Sequence, residues 1–248
     1  MGYVFSFQDS REYEQWCKSQ GNRYALRLER QLMLDLLKPT AGETVLEIGS
    51  GTGASLIPFL EKGLQATGLE PSPYMIDIAR QKLGNKVDFY RGFAEDLPFD
   101  DNSFDHVCFV TSLEFVDDPQ KALEEAFRVG RNRVFLGILN RFALTGIQRR
   151  AKGMFSDSIC SHARYFSIPE LKQYIRNILG NVPITWRTVD QLPVTRGKIA
   201  HRIEKSSIIQ RCPFGTFAGL VVIPVPRFRT RPLKLTIKPK PTTGIVAG

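Results

Sequence analysis

The run Glu47-Ile48-Gly49-Ser50-Gly51-Thr52-Gly53 brings together residue types that can hold a charged small molecule. Glycines at alternate positions let the backbone turn sharply and let a ligand lie against bare main chain. Gly49, Gly51 and Ala54 also satisfy the relaxed dinucleotide-binding spacing, so the glycines alone do not choose a ligand. Glu47 shifts the choice. A carboxylate just ahead of the loop repels a pyrophosphate and suits a cation. S-adenosylmethionine (SAM), with an ammonium, a sulfonium and no phosphate, fits that field better than NAD. Glu70, followed by Pro71, lies about twenty residues beyond the loop, where a carboxylate at a strand tip grips a ribose diol. NAD and SAM sites share that feature, so Glu70 speaks for an adenosine ligand of either kind.

These residues need a frame of alternating strands and helices. The apolar run ending at Glu47 and Ile48 reads as a buried strand, with a short helix over 54–61 behind the loop. Residues 66–69 form the next strand, and Pro73 opens a helix with Met75, Ile76, Ile78, Ala79 and Leu83 on its apolar face. Strands follow at 87–90, 106–110 and 134–139. Upstream, 11–18 and 23–37 read as two helices; Leu26, Arg30, Met33 and Leu37, with Leu34 and Leu36, mark one face of the second, and Lys38-Pro39 stops it. Ser167 and Glu170 make a capping box for a helix running to about Leu179. Residues 184–189 and 216–223 read as a final antiparallel strand pair.

Four segments, VLEIGSGTG, GLEPSPYMIDIAR, GFAEDLPFDDNSFDHV and LEFVDDPQKALEEAFRV, together resemble the small-molecule type of class I SAM-dependent methyltransferase. The resemblance covers roughly residues 30–140. It implies an α/β fold: a doubly wound, Rossmann-like, seven-stranded sheet with an antiparallel last strand and an N-terminal helical cap. SAM would then lie across the strand tips. Glu47 would sit near the methionine ammonium, directly or through water, above Gly49, Ser50, Gly51 and Gly53. Glu70-Pro71 would take the ribose, Ala94 with Phe93 and Glu95 would frame the adenine, and Thr111 would close the methionine side. Two departures stand out. Phe93 replaces an Asp that many relatives use to accept from the adenine amino group. A short Gly130-Arg131-Asn132-Arg133 turn replaces a longer Lys-Pro-Gly-Gly approach to the fifth strand.

Methyl transfer from a sulfonium is an in-line displacement, so alignment and water exclusion carry much of the rate. A hydroxyl or protonated amine acceptor would also want a base. His162, in a loop beside Arg164 and Tyr165, is the candidate; His106, at a strand start, and Glu114, after the fourth strand, are weaker ones. Tyr13, Trp16 and Tyr24 could line an acceptor pocket or simply pack. The place after the fourth strand holds Thr111-Ser112-Leu113-Glu114 rather than the Asn/Asp-Pro-Pro-aromatic run of base-amine methylating enzymes, and no Pro-Cys pair is present. Both facts argue against nucleic acid and for a small-molecule or carrier-bound acceptor. A non-catalytic SAM-binding partner subunit and an NAD(P)-dependent oxidoreductase are the competing classes.

The 248 residues, 42% hydrophobic and 24% charged, suit one α/β domain with a well-buried core. The expected divisions are a helical cap over 1–40, a core over 41–225 and a basic tail over 226–248. Residues 187–248 hold twelve Lys or Arg against Asp190 and Glu204, while the rest of the chain nearly balances. That excess reads as a solvated tail or as a surface for an anionic partner or membrane headgroups. Residues 144–154 add a basic connector. Scattered Cys17, Cys108, Cys160 and Cys212, with no paired histidines, imply neither disulfides nor a metal site. With no signal peptide and no membrane-length apolar run, a cytoplasmic location is expected.

Overall fold

The computed structural model describes residues 2–143, 162–190 and 207–224. Its chain runs α1 (Phe7–Lys18), α2 (Gln20–Leu37), β1 (Thr44–Ile48), α3 (Ile57–Glu61), β2 (Gln65–Glu70), α4 (Pro73–Leu83), β3 (Val87–Arg91), β4 (Phe104–Val110), α5 (Pro119–Val129), β5 (Gly130–Leu139), α6 (Ile168–Leu179), β6 (Ile184–Val189) and β7 (Phe217–Val222). A short helical turn, Ser207–Gln210, precedes β7. The seven strands lie in the order β3-β2-β1-β4-β5-β7-β6. β1 to β5 pair in parallel, and β7 runs antiparallel between β5 and β6. The order reverses between β1 and β4, and open α/β sheets bind ligands at such a switch point, outside the strands' carboxyl ends.

Alternation along the strands divides the core between two faces. Leu46, Ile48, Val107, Phe109, Val134 and Leu136 face α5 and α6, meeting Leu123, Phe127, Leu171 and Ile175. Val45, Cys108 and Phe135 face the other way, onto Leu32, Met33, Leu36 and Leu37 of α2 and Phe59 of α3. The second N-terminal helix thus packs directly on the sheet. α2 supplies half the cover of one sheet face, including Leu28 and Leu32, which lie outside the face read from sequence.

Local chemistry sets the helix starts. Ser6 and Asp9 form a capping box on α1, and Ser167 and Glu170 form the expected one on α6. Ser72 and Asp118 cap α4 and α5, each followed by a proline in the first turn. Two element bounds differ from expectation. Residues 51–56 are turns and α3 begins at Ile57, because the glycine loop continues to spend its backbone on Gly53–Ser50 and Leu56–Gly53 contacts. β5 begins at Gly130, so the short turn is already strand, absorbed by a register shift opposite Phe104 and His106. The connector over 144–154 and the tail over 226–248 fall outside the described residues.

Candidate active site

β1 and β2 pair in register through Ile48 and Leu69, which places the glycine loop beside Glu70. The Gly49 and Ser50 amides both donate to the Leu69 carbonyl. The Glu70 carboxylate accepts from the Gly51 amide through Oε2 and from the Ser72 amide through Oε1, each at 2.9 Å. One acid thus braces the loop after β1 against the cap of α4. Burial pushes its pKa up to about 7, against the pull of those two amides.

Glu47 lies deeper. It is 1% exposed, Oε1 accepts from the Ser55 hydroxyl, and Oε2 has no partner. Burial raises its pKa to about 8; the Glu70 carboxyl adds to the rise, while the Ser55 hydrogen bond and Arg30 oppose it. A buried acceptor left open favours a nearby positive charge. The Ser50 hydroxyl, also buried, likewise has no partner.

Above these residues opens a cavity of about 1150 Å³, including its solvent-open mouth. Gly49, Ser50, Gly51, Glu70, Pro71, Phe93, Ala94, Glu95 and Thr111 all line it. Gly51 has φ +51° and nothing within 4 Å of where a Cβ would stand, so its bare backbone faces the open space. Gly53 plays a different part. It is not on the wall, and a Cβ there would come within 2.7 Å of the Leu83 side chain on α4. Its glycine serves loop-to-helix packing. Glu47 also stands behind the wall, with Ser55 between it and the cavity.

Glu95 lines the cavity, yet its Oε1 accepts from the Asp117 and Asp118 amides at 2.9 and 3.2 Å and so anchors the start of α5. The loop carrying Phe93 and Ala94 is held from below by Arg128, which donates to the Leu97 and Phe99 carbonyls and pairs with Glu125 and Asp101.

The opposite wall comes from the N-terminus. Tyr3 and Phe5 lie in an extended strap that crosses the mouth. The Tyr3 amide donates to the Phe115 carbonyl at 2.9 Å, and the Ser72 hydroxyl donates to the Phe5 carbonyl at 2.6 Å. The strap therefore spans from the loop after β4 to the cap of α4. Tyr3 also donates its hydroxyl to Asp9 Oδ2 at 2.8 Å, and burial together with that carboxylate pushes its pKa up to about 12. Lys82 of α4 reaches both Glu14 of α1, at 2.9 Å, and Thr52 of the glycine loop, at 3.2 Å, fastening the cap to the loop. Tyr3, Phe5, Glu29 and Phe115 were not identified from sequence, and Arg30 was read only as part of the α2 face. The signal available was the alternation Tyr3-x-Phe5-x-Phe7 running into the Ser6 cap.

The catalytic candidates move. His162 is exposed and off the cavity wall, with its ring against the outer side of the strap, 4.6 Å from the Tyr3 ring. His106 is buried and bonded to Glu43 at 2.9 Å. Glu114 faces neither acceptor nor solvent: it is 1% exposed, and Oε1 accepts from the Leu139 amide at 2.7 Å. Burial raises its pKa to about 7. Of the three aromatics proposed for the pocket, Tyr13 lines it, whereas Trp16 and Tyr24 pack in the core clusters. Among the described residues no group of three or more His, Cys, Asp or Glu could hold a metal ion, and no helix is long and apolar enough to cross a membrane.

Residues 46–137, the stretch from β1 through β5, match the model of the methyltransferase domain. That stretch, together with the strand order, is similar to the core of SAM-dependent methyltransferases. Among curated proteins it is similar to a demethylmenaquinone methyltransferase of Renibacterium salmoninarum, 38% identical over 100 residues, which are 40% of this chain and 42% of that one. An uncharacterized methyltransferase of Mycobacterium tuberculosis is 38% identical over 106 residues, 43% of each chain. These matches span under half the length of either relative. A solved SAM-dependent methyltransferase of Thermotoga maritima, described as a possible histamine N-methyltransferase, aligns with a TM-score of 0.67 and 28% identity over 88% of this chain and 98% of that one.

Proposed function

We propose that the protein binds SAM in this cavity and transfers its methyl group to a small-molecule or carrier-bound acceptor. The observation that carries the reading is Glu70, a buried carboxylate bonded to the Gly51 amide at the foot of an open cavity. Its oxygens each keep a lone-pair direction beyond the amides they already accept. They can take ribose hydroxyls while the bare Gly51 backbone lets the ligand approach.

The residues fit SAM in three further respects. The open Oε2 of Glu47 and its shared field with Glu70 favour a positively charged ligand. Phe93 and Ala94 offer an apolar frame for a base. The two buried carboxylates at the glycine loop, Glu47 and Glu70, disfavour a pyrophosphate, which counts against NAD.

SAM, when bound, supplies a methyl group on a sulfonium, whose bond to sulfur breaks as the acceptor's lone pair forms the new one. What the chain contributes is placement. Glu70 and the loop fix one partner, and the strap and α1 exclude water over the other. Tyr3 holds its proton on Asp9 and remains a hydrogen-bond donor across the working pH range.

The relatives' names give two acceptor chemistries, a demethylmenaquinone and an amine. A cytoplasmic location, and an anionic partner or membrane surface for the basic excess over 187–248, belong to the same proposal. The test is calorimetric titration with SAM and its demethylated product, S-adenosylhomocysteine, followed by acceptor screening. Failure of both to bind overturns the reading.

A further inference from the structure

The half of the cavity facing the glycine loop is a wall of aromatic rings from three separate elements. Tyr3 and Phe5 come from the strap, Tyr13 from α1 and Phe115 from the loop after β4, with Leu26 and Met33 of α2 behind them. Phe5 is the centre. Its ring meets Phe115 at 5.1 Å and 77°, Tyr3 at 5.4 Å and 71°, and Tyr13 at 6.3 Å and 72°, each edge to face. The charged side chains on this half are Glu29 and Arg30, adjacent on α2 and opposite in sign.

This arrangement selects between acceptor classes. An ammonium is held by ring faces that converge around it, each centroid within about 6 Å of the charge. Here three rings meet the Phe5 ring edge to face, so they pack on one another instead of turning their faces to a common centre. They form a continuous surface rather than a cage. Such a surface presents faces and edges to one flat partner, which meets them by offset stacking and edge-to-face contact. A bound carboxylate or phosphate would need a cation of its own, and Arg30 lies in the field of Glu47.

We infer that this half of the cavity is a slot for a flat, uncharged aromatic ring, and that the methyl acceptor is a ring compound of that kind, not an amine or an acyl carboxylate. The inference rests on the methyltransferase reading above and narrows its acceptor. Phe115 determines specificity in it: its side chain lines the slot while its carbonyl pins Tyr3, so the wall and the strap share one residue.

The experiment is a two-stage calorimetric titration of the full chain. S-adenosylhomocysteine is added first; if it does not bind, the methyltransferase reading fails and the slot falls with it. The loaded protein is then titrated separately with 1-naphthol, its saturated counterpart decahydro-1-naphthol, and histamine. The expected result is 1-naphthol binding at least tenfold tighter than the other two. Phe115→Leu, which keeps bulk and removes the ring, should weaken 1-naphthol at least fivefold, and the first titration on that variant reports whether the cofactor half is still formed. Phe115→Ala should weaken it further. Equal binding of the saturated compound shows a merely greasy surface and overturns the planar slot. Histamine binding as tightly as naphthol overturns the choice against amines. Naphthol affinity unchanged in Phe115→Leu overturns the assignment of the wall.

Discussion

The two halves of the cavity are built by different means. The half at the tips of β1 and β2 is mostly main chain: glycine-loop amides, the Leu69 carbonyl and one buried acid that holds the loop in place. The half under the strap is mostly side chain, with rings contributed by segments more than a hundred residues apart. Backbone sites depend on a local spacing of glycines and an acid, so they recur wherever that spacing recurs. Side-chain walls depend on which rings the tertiary fold gathers, and can change without touching the loop. On the proposed function, the first half serves the cofactor and the second the acceptor.

The sharpest way to break that division is at Gly51. Gly51→Val should reduce SAM binding more than a hundredfold, because its side chain would project into ligand space. The domain should stay folded by circular dichroism but with reduced stability, since no protein atom lies within 4 Å of that Cβ position while valine at φ +51° strains the backbone. Retained binding would show that the ligand lies elsewhere. Glu70→Ala comes next, removing charge-assisted contacts of about 1.5–3 kcal/mol, or roughly 10- to 150-fold in SAM affinity. Glu70→Gln should recover part of it by restoring the brace on one amide acceptor. If neither variant shifts the affinity, Glu70 is a structural brace only.

Gly53→Ala provides the contrast within the same loop. Its φ of +71° and the nearby Leu83 predict a stability loss of about 1–2 kcal/mol, read by urea denaturation, with SAM affinity changed by less than threefold. A large affinity loss with full stability would return Gly53 to the ligand wall. Lys82→Met should have the smallest effect, about 1 kcal/mol or less, because its pair with Glu14 is only partly shielded from water. Loss of the Thr52 contact should show as a modest rise in the SAM off-rate.

Stability against pH adds a second handle on the backbone half. Glu47, Glu70 and Glu114 have folded pKa values raised to about 8, 7 and 7 from an ordinary 4.5. Between pH 4.5 and 8 the folded state therefore holds more protons than the unfolded state. The ligand-free protein should lose stability as pH rises through that window. Thermal melting at pH 5.5 and 8.5 should show the midpoint falling by several degrees. Asp9, Glu14, Glu43 and Asp105 are shifted down, so their contributions vanish only at more acidic pH and do not mask the trend. SAM binding near pH 7 should release protons from Glu47, giving an apparent enthalpy that varies with the buffer's ionisation heat.

The same difference explains what the chain discloses before folding. β1, the loop, β2 with Glu70 and the α4 cap are contiguous, so their spacing can be read directly. The β6–β7 pair and the capping box at Ser167 are legible for the same reason. Phe5 and Phe115 are not, because the alternation around Phe5 is too short to mark an element and the two rings meet only when the chain folds. Glu95 and Gly53 illustrate the converse. Each stands at a spacing suited to a ligand, yet the structure engages Glu95 with the α5 amides and Gly53 with Leu83. His162 looks reactive in a polar loop, but its ring packs on Tyr3 and does not line the cavity.

The most direct test of the backbone half is side-by-side calorimetry of the purified protein with SAM, S-adenosylhomocysteine and NAD. The expected result is binding of the first two and none of the third. Binding of NAD with silence from SAM would contradict the roles given to Glu47 and Glu70 together.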